Sequence, residues 1–287
     1  MWPEVMADES EDVQRKVFCD LSVYPPCADR IKWANTIIHW TMIDPFPGIP
    51  IFLIIFAAML VRTLTGFGSA LLAVPLRSIL LGAKYAVPFI MVYEVLIYLM
   101  ILGREGRRLG GDLVAAWPLL VAGLAGVPIG AEVLMAASDR LLKGGMGIAL
   151  IVFSILLLRD LGAKLRRGGI ASAASGLLAG FLCGSTGLPG PPMALLLRGQ
   201  GFEKGEFRRL IVLFLTAVDL FAFGYFLWAG LIDKEMINNS LFFLPAMVLG
   251  FIAGGRAFGR VDEASFRRLT LGITLAAGVL LLLTAAW

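Results

Sequence analysis

The chain is 287 residues long, 59% hydrophobic and 16% charged, with a mean hydropathy of +0.85. A soluble domain carries roughly 25% charge, so a soluble globular fold is excluded and an all-α polytopic membrane protein is expected. Long apolar runs exclude a transmembrane β-barrel, whose strands alternate in segments of about ten residues. The net charge of +4 traces to lysine and arginine in the loops and not to a nucleic-acid-binding surface. Cys19, Cys27, Cys183 and the lone His39 form no zinc or haem motif, so neither cofactor nor metal is expected.

Residues 1–47 are polar and irregular, with a net charge of −4. No basic stretch followed by an apolar one opens them, so a cleaved signal peptide is not expected, and the segment reads as an extracytoplasmic tail. A stretch near Ile31–Met42, carrying Trp33 and Trp40, fits an interfacial amphipathic helix as well as an irregular tail. Whether Cys19 and Cys27 form a disulfide stays open.

From Ile49 the apolar runs begin. Ile49–Leu64 and Ser69–Leu81 flank a first interruption, Thr65-Gly66-Phe67-Gly68. Tyr85–Leu102, Leu113–Ala136 and Leu141–Leu158 follow, then a basic linker over 159–167. The second half opens with Ile170–Cys183 and Pro191–Leu197 around a second interruption, Gly184-Ser185-Thr186-Gly187-Leu188-Pro189-Gly190, and continues with Leu210–Ile232, Leu241–Gly259 and Leu269–Trp287. Thr65-Gly66 recurs as Thr186-Gly187 after 121 residues. The apolar pieces after each interruption fall short of the about 20 residues that span a bilayer. Each half, 48–158 and 168–287, therefore reads as a broken, re-entrant hairpin plus three transmembrane helices.

Loop charge sets the orientation. Loops 103–112, 159–167, 198–209 and 256–268 hold fifteen Lys and Arg, against four in the loops between them. The rich loops fit the cytoplasmic side. They stay on one side only if the two halves are inverted copies, with both termini outside the cytoplasm of a cell (inner) membrane protein. Paired, Gly/Pro-interrupted segments in two inverted halves are a sequence pointer to a transporter's binding site.

The residues around the interruptions suit an anion. Half-helices starting near Ser69 and Pro191 would present N–H groups and the positive end of the helix dipole. Thr65, Ser69, Ser185 and Thr186 add hydroxyl donors; Gly66, Gly68, Gly184, Gly187 and Gly190 let backbone come close, with Phe67, Leu188 and Pro189 between them. The same glycines also fit close helix packing. Arg62 stands beside the first interruption as an anion ligand or a packing counter-ion. Glu94 and Asp219, inside corresponding spans, are candidates to carry a coupling proton, or are members of a buried ion pair. Arg77 and Arg198 end the half-helices and read as snorkelling to the interface; Glu132 reads as interfacial and Cys183 as a small buried residue.

At Leu64–Pro75 and Gly184–Leu197 the sequence resembles the TauE/SafE family of sulfite and organosulfonate exporters, over roughly residues 48–287. The resemblance implies export of a small sulfur-containing anion such as sulfite or a sulfonate, by alternating access from a midplane site. The partners expected are that anion and the lipid bilayer, with no nucleic acid; a homodimer stays open. An anion channel on the same scaffold is the alternative, and an intramembrane enzyme a more distant one, since no Ser/His pair, Asp/Asp pair or HExxH is present.

Overall fold

The computed structural model describes residues 48–65, 68–105, 113–159, 169–202, 204–257 and 263–286. The tail with Cys19, Cys27 and His39, and the residues Gly66 and Phe67, lie outside the described residues. Among the described residues every regular element is an α-helix. They are α1 Gly48–Thr65, α2 Ser69–Leu81, α3 Ala83–Glu105, α4 Leu113–Ala136, α5 Asp139–Leu158, α6 Gly169–Thr186, α7 Gly190–Gly199, α8 Lys204–Trp228, α9 Lys234–Phe242, α10 Leu244–Ala257 and α11 Glu263–Ala286. In hydrocarbon a helix is the one open-chain form that pairs all its backbone groups internally, so long Leu, Ile, Val and Ala runs fold this way whatever their intrinsic propensities.

Among the described residues, five helices are each long and apolar enough to cross a membrane: α3, α4, α5, α6 and α8. Helices α2 and α7, with 13 and 10 residues, are too short, as expected of half-helices. The arm before the second break, α6, reaches 18 residues and is long enough to cross. The expected span over Leu241–Gly259 is bent, as one broken span or a re-entrant loop. It is two helices, α9 and α10, bent by 50° at Phe243. Asp233 caps α9 by accepting from the Met236 N–H at 2.7 Å, so the helix begins earlier, in polar sequence. Pro245, in the first turn of α10, has no N–H to continue the α9 ladder.

The body that begins at Ile51 is one compact unit, and the most extensive packing in it joins α4 to α6. There the glycines Gly176, Gly180 and Gly184 recur every fourth residue and lie directly on the backbone of α4, at Leu119, Gly123 and Val127. Gly126 and Gly130 answer from α4 against Leu177 and Phe181. With apolar lipid as solvent, burying apolar area does not drive helices together, so close backbone approach through small residues supplies the contact. Helix α3 lies at the centre: 72% of its span is buried, against 33% for α5. The outward faces of α4, α5 and α11, with Val121, Ile148, Val152 and Leu283 exposed, supply apolar surface of the kind lipid covers.

The boundaries repeat. Adding 121 to Gly48–Thr65 gives Gly169–Thr186, so α1 maps onto α6; the same offset carries the starts of α2 and α3 onto those of α7 and α8. It also carries the start of α4 onto that of α9 and the end of α4 onto that of α10. The bent pair α9–α10 therefore occupies the place that one straight helix, α4, holds in the first half.

Candidate functional site

Both interruptions are real breaks in the helices, and each turns on a glycine. Gly68, before α2, has φ 127°, and Gly187, after α6, has φ 68°; side chains with a Cβ rarely adopt either. At Gly187 the chain leaves α6 through paired closing bonds. The Gly187 N–H donates to the Cys183 carbonyl at 3.0 Å, and the Leu188 N–H donates back to Leu182 at 3.2 Å, an αL-type ending. Pro189 then caps α7, with Pro191 and Pro192 in its first turn.

The two breaks face each other across one cavity. Gly68, Ser69, Ala70 and Leu71 line it from the first, and Gly187, Leu188, Pro189, Gly190 and Pro191 from the second. Arg62 of α1, Glu94 and Tyr98 of α3, and Leu215 and Asp219 of α8 complete the polar and apolar wall. Its volume is about 20 Å³, enough for a water molecule or little more, so an anion the size of sulfite enters only if the walls move apart.

Charge is concentrated on the first half's side. Arg62 is 3% exposed and Glu94 is 5% exposed. Arg62 Nη1 pairs with Glu94 Oε2 and also donates to Ser69 Oγ at 2.7 Å; Ser69 Oγ in turn donates to Glu94 Oε1. The guanidinium carbon stands 4.1 Å from the centroid of the Tyr98 ring. Arg62 Nε and Nη2 are buried with no partner, an arrangement that costs free energy until water or a ligand supplies acceptors. Across the cavity Asp219 is 2% exposed and accepts from Cys183 Sγ at 3.1 Å.

The 121-residue offset pairs these positions: Arg62 with Cys183, Ser69 with Gly190, Glu94 with Leu215, and Tyr98 with Asp219. The backbone scaffold is repeated, but its chemistry is not. A single guanidinium, that of Arg62, lines the cavity. Tyr98 was not among the expected site residues; the offset from Asp219 is the signal that would have found it.

The expected ligands divide. Arg62, Gly68, Ser69, Glu94, Asp219, Gly187, Leu188, Pro189 and Gly190 come together on the cavity. Ser185 and Thr186 do not line it. Their hydroxyls donate to their own helix, Ser185 to the Phe181 carbonyl at 2.7 Å and Thr186 to Leu182 at 2.8 Å, the usual recourse of such side chains within helices. Gly184 is committed to packing against Val127 of α4. Thr65 ends α1 at the first break.

The two half-helices also differ as donors. At the start of α2, Ser69, Ala70 and Leu71 have N–H groups with no partner in the helix, and Gly68 brings no side-chain cap. At the start of α7, Pro191 and Pro192 have none to give, which leaves Gly190 beside an apolar wall. The attraction for an anion therefore concentrates at α2 and Arg62.

The expectation that Arg77 snorkels is corrected. It is 2% exposed, because Gly82, at φ 84°, folds α3 straight back along α2. Its guanidinium lies under the Phe89 ring at 3.4 Å and near Tyr85 at 5.9 Å. Arg198, its counterpart, is half-buried in the last turn of α7. Glu132 accepts from the Tyr225 hydroxyl at 3.2 Å, in an exposed contact between α4 and α8.

The family described as "Sulfite exporter TauE/SafE" matches residues 51–281, which takes in the whole cavity. A curated relative from Cupriavidus necator, named "Probable sulfite/organosulfonate exporter TauE", is 24% identical over 235 residues, covering 79% of this chain and 91% of the relative. No solved structure matches the chain.

Proposed function

The chain belongs to the TauE/SafE family of sulfite exporters, and from that premise we propose that it moves sulfite or a sulfonate out of the cell by alternating access, one anion at a time. The anion is held in the cavity between the two breaks. The observation that supports this reading most is Arg62, a buried cation with two N–H-bearing nitrogens unpartnered beside the N-terminus of α2. A guanidinium and a helix N-terminus converging on one point form a site for an oxyanion. Glu94 and Asp219 are the two candidates to carry a coupling proton. The expected test is calorimetric binding of sulfite and a sulfonate to the purified protein. Ser69→Ala removes one hydrogen bond to a charged ligand, about 1.5–3 kcal/mol, and should weaken binding roughly tenfold or more. Gly68→Val should do worse, because its φ of 127° excludes a β-branched residue. Ser185→Ala should bind like the parent. Equal binding by all three variants would move the pocket elsewhere.

The two halves act as inverted copies rocking about the site. Exchanging the halves turns one set of packing contacts into another: α2 on α11 becomes α7 on α5, and α3 on α9 becomes α8 on α4. The glycine contacts of α4 with α6 become those of α10 with α1, where Gly250 meets Phe56 and Gly254 meets Thr63. Loop charge supports the inversion. Cysteines introduced at Glu105 and Gly205 should be labelled from the cytoplasmic side and one at Glu235 from outside. Labelling of 105 and 205 from opposite faces would remove the inversion.

A further inference from the structure

The donors that an anion needs are already in use. Arg62 Nη1 and the Ser69 hydroxyl both point at the Glu94 carboxylate, which lies in the cavity wall beside the N-terminus of α2. Glu94 occupies the place of a substrate: it is an anion, its two oxygens take the two side-chain donors, and it is nearly sealed from water. We propose that Glu94 is the resident stand-in for the transported anion, and that substrate takes its place only when Glu94 gains a proton, so that each anion is bound together with one proton. This rests on the transport reading above and adds its coupling.

The charge balance supplies the stoichiometry. The ionisable groups facing the cavity are Arg62 from α1, Glu94 and Tyr98 from α3, and Asp219 from α8 with Cys183 of α6 against it. One guanidinium neutralises one carboxylate. With Asp219 protonated and no substrate bound, Arg62 and ionised Glu94 cancel. When a monoanion takes the guanidinium, ionised Glu94 would leave an uncompensated charge in a water-poor cavity, at a cost of several kcal/mol. A proton on Glu94 removes that charge. It also turns the carboxylate from a competitor into an O–H donor facing the newly bound oxyanion. Asp219 accepts from Cys183 Sγ and not from Arg62 Nη1 or Ser69 Oγ, so it does not occupy the donors that the anion needs. The sign follows: anion binding takes up a proton, so affinity rises as pH falls.

The test uses the purified full-length protein and methanesulfonate, a sulfonate with no titratable group near neutrality, unlike sulfite. Its binding is measured by calorimetry across an acid-to-neutral series, in two buffers that differ in ionisation enthalpy. The parent should bind about tenfold more tightly for each pH unit lost while Glu94 is ionised, and the buffer difference should report uptake of about one proton per anion. Glu94→Gln should bind with pH-independent affinity and no proton uptake, whereas Asp219→Asn should keep the parent's slope. Binding by the parent that is pH-independent and takes up no proton would overturn the proposal, and so would Glu94→Gln keeping the parent's pH dependence. The buffer comparison on the parent decides the matter even if Glu94→Gln fails to fold. If the parent binds neither methanesulfonate nor sulfite at any pH, the transport reading itself falls, and this proposal with it.

Discussion

Gly180→Val should prevent the helix bundle from assembling. A Cβ at Gly180 lands on the carbonyl oxygen of Gly123, with the Gly123 carbonyl carbon 2.7 Å away. Both are backbone, so no rotamer change relieves the overlap. Helices α4 and α6 must separate along the whole Gly176–Gly184 stripe, and α6 then no longer delivers Gly187 to the cavity. Overpacking by side chains costs about 1–3 kcal/mol; a backbone collision that opens the most extensive interface in the fold exceeds that. The expected result is loss of a monodisperse species in size-exclusion chromatography, or a melting transition lowered well below the parent's. Gly272→Ala is the comparison. Nothing lies within 4 Å of a Cβ there, so that variant should match the parent or gain stability, by up to about 1 kcal/mol of helix propensity. A Gly180→Val protein as stable as the parent would mean that α4 and α6 are not packed backbone to backbone.

How much of this was legible in the sequence depends on distance along the chain. The breaks were, because glycine and proline act locally: Gly68 and Gly187–Pro192 interrupt a helix wherever it packs. The grouping of Arg62, Glu94 and Asp219 was half legible, since charge inside an apolar run is conspicuous but its partners are set by packing. What Ser185 and Thr186 do was not legible, because the choice between a ligand and the carbonyl one turn back depends on whether the helix continues through them, and α6 runs to Thr186. Arg77 was misread for a similar reason: a basic residue near a helix end looks interfacial until Gly82 turns Phe89 and Tyr85 over it. The bend at Phe243 was hidden because the apolar run continues through it. The weaker donor set of α7 was written in Pro191 and Pro192, but mattered only once both half-helices were found on one cavity.

Arg62→Met should abolish anion binding and also destabilise the fold, and the two effects should separate in a double variant. Removing the guanidinium leaves Glu94 buried at 5% exposure with Ser69 as its remaining donor. Breaking one side of a buried ion pair costs about 3–5 kcal/mol, unless the carboxyl takes a proton, so the loss should be largest at high pH and shrink as pH falls. Glu94→Gln in the Arg62→Met background removes the stranded charge while keeping an amide that can accept from Ser69. Most of the stability should return, because replacing both members of a buried pair is often close to neutral. Binding should not return, because α2 alone offers N–H groups without a compensating cation. Thermal melts and calorimetry on the parent, both single variants and the double variant close the cycle. If the double variant recovers sulfonate binding, the helix N-terminus holds the anion unaided and Arg62 serves only to neutralise Glu94. If it recovers neither binding nor stability, Arg62 has a packing role through its contact with Tyr98, 4.1 Å away, that the ion pair does not account for.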